Sequence, residues 1–92
     1  MGNPVYRLEA HFSGRVQGVG FRYTARQIAQ GFTVTGQVRN LEDGRVHLVA
    51  EGAENEVQEF LREIQVQMQQ YIKETATAPL PGPAQFRGFN IG

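Results

Sequence analysis

The residues best equipped for chemistry are Arg22 and Asn40, and the glycines ahead of Arg22 indicate which chemistry. In the stretch GRVQGVGFR, residues 14–22, glycines stand at 14, 18 and 20, followed by Phe21 and Arg22. Glycine accepts positive φ and lets backbone N–H groups approach a ligand with no Cβ in the way. Successive exposed N–H groups form a concave nest for an anion, and a helix starting just beyond adds unpaired N–H groups and a partial positive charge. Arg22 falls in the first turn of such a helix, where the dipole disfavours a cation unless an anion compensates it. The combination predicts a phosphate-like group held in the loop, with the Arg22 guanidinium gripping two of its oxygens. The loop is neither a P-loop, which needs Lys-Ser/Thr after the glycine, nor a dinucleotide fingerprint in a parallel βαβ unit.

Asn40 completes the constellation. It continues the parity of Val34 and Val38, which points it to the helix side of its strand. A strand returning antiparallel to the helix ends beside the helix's start, so Asn40 and Arg22 converge although they are distant in sequence. A guanidinium and an amide beside an anion cradle offer no nucleophile, and neither acts easily as a base at neutral pH. Such a site holds a phosphoryl group and orients a water. That is sufficient only when the leaving group is already good.

The elements that must position these residues are legible from periodicity. VYRLEAHFSG alternates, with Leu8, Ala10 and Phe12 on one face and Arg7, Glu9 and His11 on a solvated one, as in a first strand. Phe21, Ala25, Ile28, Ala29 and Phe32 make one helical stripe that stops near Gly31. FTVTGQVRN alternates again, Asp43-Gly44 suits a hairpin turn, and RVHLVAEG returns with Val46, Leu48 and Ala50 inward. Val57, Phe60, Leu61, Ile64 and Met68 mark a second helix, with Glu54 and Glu56 at its positive end. YIKETATA is read as a fourth strand because the first otherwise lacks a partner, and QFRGFNI as a short extra C-terminal strand. The order β-α-β-β-α-β predicts an α+β ferredoxin-like split βαβ sandwich, two helices on one face of an antiparallel sheet. One domain over residues 1–92 is expected.

GRVQGVGFR, with GQVRN at 36–40 and LEDGRV at 41–46, resembles the acylphosphatase family, whose signature is a G-x-V-Q-G-V-x-F-R loop followed by G-x-V-x-N before a D-G-type turn. The resemblance covers residues 6–62 closely, and the order of elements extends it over nearly the whole chain. It implies hydrolysis of a carboxylic–phosphoric mixed anhydride to a carboxylate and inorganic phosphate, with no metal, no cofactor and no covalent intermediate. It further implies that Arg22 binds and polarises the phosphoryl oxygens and that Asn40 positions the attacking water. The backbone amides of Arg15, Val16, Gln17, Gly18, Val19, Gly20 and Phe21 would complete the cradle, Gly18 and Gly20 supplying its shape. Three departures stand out. Gln37 replaces a frequent tryptophan, Leu41 replaces a hydroxyl residue found in some members, and Gln65–Pro83 matches poorly.

Composition narrows the alternatives. Nine basic and nine acidic residues balance, which argues against a general nucleic-acid binder. There is no cysteine, so disulfides, zinc thiolates and cysteine nucleophiles are excluded. No apolar run suits a bilayer and no secretory segment is evident, so a cytoplasmic monomer is expected, acting on a small-molecule acyl phosphate with phosphate as product and inhibitor. His11 and His47 lie on the polar parity of neighbouring strands, but no third ligand accompanies them in the sequence, and they are read as solvated sheet residues. The competing reading is a non-catalytic module of the same fold that binds an anion or acyl phosphate. A further alternative is an accessory domain for carbamoyl-phosphate chemistry within a larger enzyme.

Overall fold

In β1 (Tyr6–Gly14) the side chains of Leu8, Ala10 and Phe12 are buried, as the alternation requires. The computed structural model describes residues 5–92, so the part of the expected single domain at residues 1–4 lies outside the described residues. The chain continues through α1 (Phe21–Ala29), β2 (Val34–Asn40), β3 (Val46–Gly52), α2 (Glu54–Gln67), β4 (Ile72–Pro79) and β5 (Phe89–Ile91). The strands form one sheet in the order β4-β1-β3-β2-β5. The helices present their apolar stripes to one face of it: Phe21, Ala25 and Ile28 from α1, and Val57, Phe60, Leu61 and Ile64 from α2. Aromatic pairs knit these layers, with ring centroids 5.0 Å apart for Phe12–Phe21 and 5.2 Å, edge-on, for Phe60–Phe89.

β4 is the strand expected of YIKETATA, and it pairs antiparallel with β1. The sheet as a whole departs from the antiparallel expectation, because β5 runs parallel to β2. The cause is the crossing of residues 80–88. β4 ends beside the start of β1, where the Leu80 N–H donates to the Arg7 carbonyl at 3.0 Å. The chain then passes to the opposite edge at that same end and reverses, so β5 must run alongside β2. The hairpin also differs in detail from a two-residue turn. Gly44 has φ 95° but Asp43 does not have positive φ, and residues 41–45 are closed by the Leu41 N–H donating to the Arg45 carbonyl at 2.8 Å.

The outer face, opposite the helices, is not simply solvated as the parity of Arg7 suggests. Arg7 and Glu51 are 8% and 1% exposed, with Arg7 Nε donating to Glu51 Oε2 at 2.8 Å. Glu51 also accepts from the backbone N–H groups of Gln85 and Phe86, and Arg7 donates to the carbonyls of Leu80 and Pro81. The crossing segment brings these backbone groups over the sheet and buries the pair. Their distance in sequence hides this from a periodicity reading.

Candidate active site

The loop from β1 to α1 is held at three points. Its first amide, Arg15 N–H, donates to the Tyr71 carbonyl at 2.9 Å. Val16 is fully buried and plugs the loop into the core. The Gln17 side-chain amide donates to the carbonyls of Leu41 and Arg45, fastening the loop to the β2–β3 hairpin. Between these anchors and the helix, Gly18 and Gly20 both take φ 77°, a left-handed conformation costly for a residue with a Cβ. The arrangement corrects the expected cradle at its first residue. Arg15 is committed to Tyr71, so the amides free to meet an anion begin beyond it.

Gly20 is also the residue from which α1 starts, and no side chain caps that end. The first turn carries no acidic residue either. Its unpaired N–H groups and the positive end of the dipole therefore face outward with no built-in anion. They open on a cleft of about 170 Å³ that Gly18, Gly20, Phe21, Arg22 and Asn40 line together. Arg22 and Asn40 thus come to one cleft, the first from the start of α1 and the second from the end of β2. Among the described residues, the Arg22 side chain has one hydrogen-bond partner, the backbone oxygen of Gly92, 3.5 Å from Nη1. That contact is long and leaves most of the guanidinium fork for a ligand.

The remaining loop side chains divide by role. Gln17 turns to the hairpin and Val19 packs against the core, so neither side chain lines the cleft. Tyr23 and Ile91 do line it. Tyr23 is 55% exposed, and the Arg26 guanidinium sits 5.5 Å from its ring centroid, a cation–π arrangement at the rim. Ile91 was not singled out by sequence, because its place depends on β5 lying beside β2. The alternation of Phe89 and Ile91 is the only local signal for it. Gln37 pairs with Asn90 of β5, and Leu41 contributes its backbone carbonyl to Gln17, so neither departure from the family pattern enters the cleft.

The family model for acylphosphatase matches residues 8–91. The chain belongs to the acylphosphatase family. It is 39% identical over 85 residues to an acylphosphatase of Trichormus variabilis, an alignment covering 92% of this chain and 84% of that protein. An acylphosphatase of Archaeoglobus fulgidus is 50% identical over 54 residues, which span 59% of this chain and 61% of that one. The crystal structure of acylphosphatase from Bacillus subtilis matches with a TM-score of 0.84 at 29% identity, covering 95% of this chain and 98% of that one. Acylphosphatase membership sets the class of the molecule: it is a hydrolase of acyl phosphates on a ferredoxin-like α+β fold.

Proposed function

We propose that Arg22 and the loop amides hold the phosphoryl group of an acyl phosphate while Asn40 positions the water that attacks it. The observation that carries this reading is the shared cleft: Arg22 and Asn40 line it together with Gly18 and Gly20 at the uncapped start of α1. The cradle amides and the guanidinium meet the three terminal oxygens, and their fixed dipoles stabilise charge there as the transition state forms. The Asn40 amide, at the cleft's edge, accepts from and orients a water toward phosphorus. The water oxygen forms the new P–O bond and the bond from phosphorus to the acyl oxygen breaks. The carboxylate departs with that electron pair, and the proton released from the water passes to a phosphoryl oxygen of the substrate.

The lining residues contain no carboxylate, thiol or imidazole to act as a base or nucleophile. Preorganisation and positioning then carry the rate, which suits a substrate whose leaving group is a stable carboxylate. The substrate is a small-molecule acyl phosphate, and the chain acts as a cytoplasmic monomer. Among the described residues no helix is long and apolar enough to cross a membrane.

Release of phosphate from benzoyl phosphate, with a chelator present, tests the reading. Arg22→Ala should lower kcat/KM by a factor on the order of a hundred or more, by comparison with the loss of one oxyanion-hole donor. Equal rates for the wild type and Arg22→Ala would sink it.

A further inference from the structure

The sheet's outer face carries both histidines of the chain, away from the helix side on which the cleft opens. His11 of β1 and His47 of β3 are direct cross-strand partners, with ring centroids 4.7 Å apart. Glu9 precedes His11 by two residues and so shares its face. Its carboxylate reaches diagonally to His47, Oε2 lying 3.0 Å from Nε2. Glu9 is the third ligand that the two histidines lack in the sequence. One ligand atom from each of Glu9, His11 and His47 lies within 4.8 Å of the others, and all three residues are half-buried.

We propose that Glu9, His11 and His47 form a binding site for a divalent transition-metal ion of the Zn2+ class, which would staple β1 to β3 on the outer face. Two imidazoles and one carboxylate are a donor set that Zn2+ accepts, with a fourth position left for water. Ligands about 2.1 Å from the ion stand roughly 3.4 Å apart on a tetrahedral shell. The Glu9–His47 pair, at 3.0 Å, is already close to that separation. All three ligand atoms lie within 4.8 Å of one another, so the side chains have at most about 1.4 Å to close.

The local electrostatics are compatible with this. Burial, reinforced by His47 and Arg45, holds the His11 imidazole below its usual pKa. The hydrogen bond from His47 holds the Glu9 carboxyl below its usual pKa. Two cations share the neighbourhood. Arg39 is the cross-strand partner of His47, and Arg45 is paired with Asp43 at 2.8 Å. They weaken the pull on any cation, so selectivity must come from imidazole coordination, which favours Zn2+ over Mg2+. Asn40 pairs with Val46, one step along the ladder, and its side chain lies on the opposite face. The metal therefore acts on stability and leaves the phosphate chemistry alone.

The test uses tag-free protein titrated with Zn2+ or Mg2+ and followed by calorimetry and thermal melting. Zn2+ should bind one per chain, and a hundredfold excess over its Kd should raise Tm by roughly 10–20 °C. Mg2+ should do neither. His11→Ala and His47→Ala should each abolish the shift, and Glu9→Gln should weaken binding by about tenfold or more. Should His47→Ala fail to fold, as judged by its melting curve without metal, His11→Asn serves in its place. Benzoyl phosphate hydrolysis should be the same in wild type and His11→Asn. A wild-type Tm that Zn2+ does not move, or histidine variants that bind Zn2+ as tightly as wild type, would overturn the proposal.

Discussion

The Gln17 side-chain amide donates to the Leu41 carbonyl at 2.7 Å, and the same nitrogen reaches the Arg45 carbonyl at 2.9 Å. One side chain of the glycine loop thereby spans the hairpin at both strand ends. Leu41 follows Asn40 directly, so the cradle and the proposed water-positioning amide are tied together through Gln17. Gln17→Ala should cost about 1–3 kcal/mol of stability through the lost hydrogen bonds. Its kcat should fall further than the folded fraction explains. Gln17→Glu should be worse, since it sets a carboxylate against two carbonyl oxygens. Denaturant melts combined with benzoyl phosphate kinetics measure both effects; full activity in a folded Gln17→Ala variant would show the tie to be dispensable.

Gly20 takes φ 77° where α1 begins, with open space where a Cβ would stand. The cost of a side chain there is conformational, not steric. Gly20→Ala should lose about 1–2 kcal/mol, the left-handed penalty for a residue with a Cβ. If the loop relaxes to escape the strain, phosphate binding should weaken with it. Isothermal titration with inorganic phosphate reports the change.

Inorganic phosphate should stabilise the fold by mass action, since the cradle exists only in the native state. Tm should climb with phosphate concentration in the wild type. In Arg22→Ala the climb should be much reduced, because the guanidinium supplies the charge. Scanning calorimetry over a phosphate series at constant ionic strength decides it.

The buried Arg7–Glu51 pair should dominate stability on the outer face. Glu51→Ala removes the acceptor of the Arg7 guanidinium and of the Gln85 and Phe86 amides, leaving a buried charge unmatched. Breaking such a pair costs about 3–5 kcal/mol. Replacing both partners, as in Arg7→Met with Glu51→Leu, should cost less than the sum of the single changes, and a double-mutant cycle in urea measures the difference.

These residues also mark where sequence reasoning works and where it stops. The stripe of Phe21, Ala25, Ile28 and Ala29 is local, so its helix could be read directly. The meeting of Arg22 and Asn40 was legible because strand parity and the antiparallel return of β2 are both short-range rules. The burial of Arg7, the direction of β5 and the presence of Ile91 in the cleft all depend on the 80–88 crossing. That segment is rich in proline and glycine and has no period from which its course could be read. The approach of Glu9 to His47 escaped for another reason. Glu9 stands opposite Val49 in the ladder, and only its side-chain rotamer carries it diagonally to the histidine.

The division of labour within the cleft is the central claim, and one variant isolates it. Asn40→Ala should lower kcat for benzoyl phosphate on the order of a hundredfold or more, while its Kd for inorganic phosphate stays close to that of the wild type. An Asn40→Ala variant that turns over at the wild-type rate would contradict the account.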